Sequence, residues 1–321
     1  MPTTYSNALK YIVANQALNA EQLGYVDSVI RGSQLTKMIP IITPSKFMED
    51  EYYEKKLAGT SVIGGRLLNQ NPSTAMVNKY EKKLEHTILA GGKAEIDYKT
   101  LMAKPNELDK RVEDTLFDLG FWLDYKIING DPDTDNGATF PGLKARLTGN
   151  QLIDNGGALS IGSSAANFRT FMSMFRTAKR RIKPAPNSQL VAVMNETIYE
   201  KVQMGRDITG ANVLGTAYSD ILNEEVETLA GVPLVIVRTD DIGTEILPMT
   251  ESSSTSSIYM MQVGGAPTPD SLLIPGGIVG LSEGGVQMTP EVDGNIRTVT
   301  LDYEYGIRVP SKSACRIQLI N

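Results

Sequence analysis

Residues 106–147 read NELDKRVEDTLFDLGFWLDYKIINGDPDTDNGATFPGLKARL, and their periodicity sets the architecture. Leu108, Val112, Leu116, Leu119, Leu123 and Ile127 recur at steps of three or four, which is one face of an amphipathic helix. Glu107 and Asp109 lie in its first turn, where acids favour the positive end of the helix dipole. Asn106, just after Pro105, is a candidate N-cap. Gly130 is placed for a left-handed C-terminal cap, and Pro132 blocks continuation. Such a helix is a rod of roughly 34 Å, at about 1.5 Å per residue. Phe117, Phe121 and Trp122 widen the apolar surface, so cover from more than one side is expected. After the stop, an acidic loop closes with Phe140-Pro141-Gly142-Leu143.

Composition bounds the function. The chain has 321 residues, 41% apolar and 21% charged, enough for a substantial core in one or two domains. No apolar run reaches the roughly 18 residues of a membrane span. The start, Met1-Pro2-Thr3-Thr4-Tyr5, has neither the basic nor the apolar segment of a secretory signal, so use in the cytosol is expected. The net charge of -6 disfavours tight general binding to nucleic acid. A single cysteine, Cys315, excludes intrachain disulfides and cysteine-rich metal sites, and its strand-like setting suits a buried small hydrophobe. The single histidine, His86, sits in a charged stretch, Lys82 to Thr87, that reads as exposed rather than catalytic.

Around the long helix the chain reads as follows. Residues 5–31 keep helical spacing and end at Gly32. Residues 45–100 are charged and Gly-punctuated, with a turn at Gly64 to Pro72, and read as a long two-stranded excursion that needs a neighbour to lie on. That neighbour need not be in the same chain. A helix start at Pro72 to Val77 competes with this, and Lys93 to Met102 reads as a returning strand. Beyond residue 157 helices and strands mix: a helix over Ser164 to Ile182, a buried strand Leu190 to Met194, a helix Glu196 to Met204, strands Val232 to Val237 and Ile258 to Val263 flanking a Ser/Thr loop at Ser252 to Ser257, and a strand-turn-strand ending broken at Val309-Pro310-Ser311. Without regular βαβ alternation the class is α+β.

The motifs of catalysis are thin. Gly59 to Arg66 has the first glycine spacing of a phosphate loop but lacks its Lys-Ser/Thr. Dinucleotide and nucleophile-elbow signatures are missing. Asp131, Asp133 and Asp135 alternate as in a calcium loop, but the turn glycine, Gly137, comes one place late and Gly142 stands where a bidentate Glu is needed. An acidic, solvated turn is the plainer reading. The basic run Arg176 to Lys183 complements the C-terminal end of its helix and reads as a solvated or intersubunit salt-bridging face, with contact to packaged nucleic acid as the alternative. No catalytic, cofactor-binding or metal-ligating residue is therefore assigned.

The helix ending in Ile127-Ile128-Asn129-Gly130-Asp131, followed by Phe140-Pro141-Gly142-Leu143, resembles major capsid proteins of tailed bacteriophages with the Hong Kong ninety-seven type fold. Leu190 to Asn195, Ala230 to Val237, Ser257-Ile258-Tyr259 and Arg297 to Ile307 continue the resemblance in order. It implies an N-terminal arm over 1–40, an extended hairpin loop over 41–100, a peripheral domain over 101–154 and 266–321 built on a spine helix at 106–129, and an axial domain over 155–265. It implies a structural protein, not an enzyme, that self-assembles into hexamers and pentamers of an icosahedral head around double-stranded DNA, in the host cytoplasm and then the virion. Its implied partners are further copies of itself, a portal, a separate scaffolding protein (the arm being short) and in some cases cement proteins, with at most weak contact to packaged DNA and none to a membrane. In this family the hairpin lies over an adjacent subunit, and some relatives crosslink Lys to Asn; Lys55, Lys56 and Lys79 lie near the loop, but no rule selects a partner. Two readings compete: an encapsulin-like cargo shell, and a soluble metal-dependent enzyme using the Asp131 to Asp135 loop.

Overall fold

The computed structural model describes residues 20–55, 80–182, 188–210, 214–219, 224–237, 239, 244–250, 255–264 and 277–321. Gly59 to Arg66, the Gly64 to Pro72 turn, the competing helix start at Pro72, Lys56, Lys79 and Lys183 lie outside them. In chain order the elements are α1 (Ala20–Gly32), β1 (Ile41–Ile42), β2 (Glu49–Lys55), β3 (Tyr80–His86), β4 (Ile88–Asp97), α2 (Tyr98–Ala103), α3 (Glu107–Asn129) and α4 (Leu143–Arg146). There follow β5 (Leu152–Ile153), α5 (Ala165–Arg181), β6 (Ser188–Asn195), α6 (Glu196–Thr209), β7 (Leu214–Ser219), β8 (Glu224–Leu229), β9 (Val232–Val237), β10 (Ser256–Gly264), β11 (Val279–Leu281), β12 (Gln287–Asp293), β13 (Ile296–Arg308) and β14 (Ala314–Ile320). The mixture is α+β, as the sequence predicts.

The spine helix α3 forms over 23 residues and buries Leu116, Leu119, Leu123, Ile127 and Ile128. Its ends differ from expectation. Asn106 stands at the N-cap position but its side chain makes no capping hydrogen bond. Gly130 is not left-handed: its φ of -56° and ψ of 131° are extended. The exit explains this. Residues 140–142 come back alongside the last turn, and the Gly142 amide donates to the Gly130 carbonyl at 2.8 Å. A Cβ at Gly142 would stand 2.7 Å from the Gly130 nitrogen and 2.7 Å from the Ile128 oxygen. The glycines serve close approach rather than a special φ, and Phe140, Leu143 and Leu147 drop into the core behind them.

Two sheets flank the spine. One contains β1, β11, β13 and β12 in that order, with β4 also on β13. β13 is long enough to pair with β4 and β12 along its first part and with β11 at Gly306 to Arg308. The strand predicted at Lys93 to Met102 is β4, which starts at Ile88, ends at Asp97 and yields to the short helix α2. Pro290 falls in β12, a sheet-edge strand, where a missing N–H is tolerated.

The other sheet runs β5-β14-β10-β6-β9-β8-β7. Its central strands are buried on both faces, which is why Leu190 to Met194 reads as an unbroken apolar run. Val191 and Val193 on β6, with Tyr259, Met261 and Val263 on β10, join the core that contains the spine. Ala192 and Met194, with Ile258 and Met260, join a second core under α5 and α6 that contains Phe168, Phe171 and Phe175. β14 belongs to this sheet, between β10 and β5, although it follows β13 of the first sheet across a short turn. The closing strand-turn-strand is therefore not a hairpin but a bridge between sheets.

α1 lies across the spine at a crossing made by two glycines. A Cβ at Gly32 would run into the Phe117 carbonyl oxygen, and one at Gly120 into that of Val29. One turn further along α3, Asp124 is 1% exposed. Its carboxylate accepts from the Ser33 hydroxyl, from the amides of Gln34 at 2.5 Å, Leu35 at 2.9 Å and Thr36 at 3.0 Å, and from the Thr36 hydroxyl at 3.1 Å. Burial pushes the carboxyl pKa up, while these donors pull it down. Replacing Asp124 by Ala leaves several buried donors unpaired, and the expected loss is about 3–5 kcal/mol in urea unfolding. A loss below about 1 kcal/mol would mean that water replaces the carboxylate.

Candidate assembly surface

The ribbon of β2 and β3 is the part of the chain least able to stand alone. Its register sets Asp50 opposite Glu85, Tyr52 opposite Lys83 and Glu54 opposite Glu81, so Asp50, Tyr52, Glu54 and Glu85 share one face. In a two-stranded ribbon one expects acids to face water. Here Asp50, Tyr52, Glu54 and Glu85 are all buried. Each acid meets a donor from the body of the same chain. Arg146 gives a bidentate pair to Glu85, Nη1 to Oε1 at 2.7 Å and Nη2 to Oε2 at 2.6 Å. Arg308 Nη1 lies 3.2 Å from Asp50 Oδ2, with its guanidinium 5.1 Å from the centre of the Tyr52 ring. The Ser311 amide and hydroxyl donate to the two Glu54 oxygens at 2.6 and 2.7 Å. Burial, with Glu85 and Glu54 nearby, drives the Tyr52 phenol well above its usual range.

These donors come from elements the sequence marked for other reasons. Arg146 ends α4, the short helix of the spine's exit, and its Nε donates to the Pro141 carbonyl at 2.6 Å. Arg308 ends β13, and Ser311 begins the bridge to β14. The root of the ribbon is therefore clamped by charge to the body of its own chain, which supplies the neighbour that the sequence calls for. The opposite face is open. Lys46 and Lys82 both pair with Glu51, at 2.7 and 2.6 Å, beside the exposed side chains of Tyr53 and Leu84. Phe47, just before β2, is 73% exposed.

The other residues singled out by the sequence lie apart from one another. His86 ends β3 and is exposed. Cys315 is buried in β14, where burial pushes its thiol pKa up to about 11. In the acidic turn, Asp135 is not simply solvated: Lys126 Nζ and the Thr139 hydroxyl donate to it at 2.7 and 2.8 Å and hold its carboxyl below the usual range. Asp131 accepts from the Asp133 amide and the Thr134 hydroxyl, as in a local turn. Among the described residues no group of three or more His, Cys, Asp and Glu is arranged to hold a metal ion, and no helix is long and apolar enough to cross a membrane. The buried acids Asp50, Glu85 and Asp124 went unread in the sequence. The one available signal for the ribbon was the alternation of Asp50, Tyr52 and Glu54, which puts acids and an aromatic ring on one strand face.

No family model matches the chain, and no curated protein matches it. Solved structures do. The holo-SrpI encapsulin complex from Synechococcus elongatus PCC 7942 is similar at a TM-score of 0.60 and 12% identity, over 89% of this chain and 87% of that one. The satellite phage P4 procapsid is similar at a TM-score of 0.53 and 10% identity, over 93% and 99%. The capsid of an empty GTA particle is similar at 0.57 and 10%, over 90% of each chain. The likeness runs almost end to end, and the chain has the Hong Kong ninety-seven type fold.

Arg146→Ala is expected to leave Glu85 buried without its partner, at a cost of about 3 kcal/mol local to the ribbon root. Hydrogen exchange checks this: amides of β3 should lose protection by on the order of 100-fold while those of β6 and β10 change little. Uniform loss across all strands would show that the pair supports the whole fold instead.

Proposed function

We propose that this chain is the major capsid protein of a tailed phage: a structural protein, not an enzyme, whose copies form the hexamers and pentamers of an icosahedral head around double-stranded DNA. The observation that carries the reading is end-to-end likeness to shell-forming proteins, together with a charged ribbon clamped at its root. Such a ribbon has one face held by its own chain and another, with Tyr53, Leu84 and Phe47, open to a neighbouring copy. On this reading residues 1–40 are an arm and 41–100 hold the extended loop. The peripheral domain takes 101–154, with the spine, and 266–321. The axial domain takes 155–265, and β14 extends the sheet of that stretch by pairing with β10. A portal and a separate scaffolding protein are the expected further partners, with cement proteins in addition, and assembly takes place in the host cytoplasm before the protein resides in the virion.

A second reading, an encapsulin-like cargo shell, is favoured by the TM-score of 0.60 to an encapsulin. It shares the fold and differs in contents. A metal-dependent enzyme built on the Asp131 to Asp135 loop is disfavoured, because Asp135 is already engaged by Lys126 and Thr139.

Expression of the full chain, alone and with any scaffolding protein encoded beside it, should yield uniform hollow shells in negative-stain electron microscopy. A monomer that never assembles in either condition would sink both shell readings. Shells that form without any scaffold and retain a co-expressed cargo enzyme would favour the encapsulin.

A further inference from the structure

α5 carries Arg169, Arg176, Lys179, Arg180 and Arg181 and no acidic residue. The dipole of the helix accounts for the last three, which lie in its final turn. It does not account for Arg169, in the second turn, or for Arg176. Lys179 and Arg181 are used within the chain: Lys179 donates to the Ala230 carbonyl, and Arg181 to those of Asn150 and Leu152. Arg169, Arg176 and Arg180, at helical spacing with Ser173, form an exposed stripe. Among the described residues no carboxylate pairs with any of the three arginines.

The opposite charge is displayed on β7 and β8, the last two strands of the seven-stranded sheet. β7 and β8 carry Glu224, Glu225 and Glu227 and no Lys or Arg. Glu227 accepts from the Tyr199 hydroxyl, whereas Glu224 and Glu225 are exposed, with Tyr218 opposite Glu225 and 62% exposed. Among the described residues β7 pairs only with β8, so its outer edge is open to another chain. The sheet order puts β5 and β14 at one end and β8 and β7 at the other, about 29 Å away at roughly 4.8 Å per strand. α5 crosses beneath this sheet: it packs against β14 and sends Arg181 to the Leu152 carbonyl of β5, while Lys179 reaches the Ala230 carbonyl between β8 and β9.

We propose that the arginine stripe of α5 in one copy receives the acidic β7–β8 edge of the next copy. The contact is head to tail, between two different patches, and repetition of such a contact builds a ring when the rotation between successive copies closes. It also supplies Tyr218 as an aromatic face for an arginine. The net charge of -6 and the matching acidic edge on the same chain favour a second copy over nucleic acid as the occupant. The inference rests on the shell reading above and adds to it the chemistry of one contact.

The test is a charge swap in the full chain. Arg176→Glu with Arg180→Glu, or Glu224→Arg with Glu225→Arg, should each raise the concentration needed for assembly by at least about tenfold, by setting like charges against each other. The four substitutions together should restore assembly, which a folding defect would not allow. Sedimentation velocity reads assembly, and fluorescence anisotropy with a labelled DNA duplex reads nucleic-acid binding by the unassembled protein. If both two-residue variants assemble like the unaltered chain, the inference falls and the shell reading stands. It falls also if the combined variant fails to recover. Loss of duplex binding by the arginine variant with normal assembly would overturn it in favour of a nucleic-acid face. If the unaltered chain never assembles, the shell reading fails and takes this contact with it.

Discussion

The carboxylate of Asp124 is the contact on which the architecture turns. It sits inside the apolar surface of the spine helix and gathers the amides and hydroxyls of residues 33–36 as α1 ends. A buried carboxyl is tolerated only when donors surround it, and here the donors are amides and hydroxyls of residues 33–36, just past the end of α1. Each solves the other's problem. The glycine crossing beside it brings α1 close enough for the exchange, because neither Gly32 nor Gly120 places a Cβ between the helices. Leu35, Met38, Ile39 and Ile41 then enter the core that the spine organises.

The far end of the spine works by the same logic with different groups. Gly130 and Gly142 let the exit double back on the last turn, and this sets α4 and its Arg146 where they meet Glu85. A turn that looked merely terminal thus fixes the angle at which the ribbon leaves the body. Arg308 and Ser311 do the same from the junction of the two sheets. The ribbon root is held by three acids on one face, each with its own donor, around the buried ring of Tyr52. That explains how a segment poor in core residues keeps a defined orientation.

Much of this was legible in the residues. The stripe from Leu108 to Ile127 located the spine, and the apolar run at Leu190 located the strand buried on both faces. The alternation of Leu301, Tyr303 and Tyr305 located the inward face of β13. What failed did so for physical reasons. Gly130 invited a left-handed cap because glycine usually ends helices that way, yet the local pattern carries no record of residue 142 lying against it. The acids of β2 break the rule that charge stays outside, and only the position of Arg146, Arg308 and Ser311 explains it. β7, β8 and β12 went unread, since mixed polar strands at or next to a sheet edge lack the alternation that marks half-buried ones.

The sequence by itself determined the class, the spine, most of the strands and the order in which they resemble a shell-forming protein, because periodicity and helix punctuation are local properties of the chain. Only the tertiary structure decided which charges are buried, that β14 leaves its predecessor β13 to join the other sheet, and that the ribbon is tied to its own chain at the root. Those outcomes depend on pairings between residues tens to hundreds of positions apart, and no local pattern records which distant partner an acid, an arginine or a strand edge will meet.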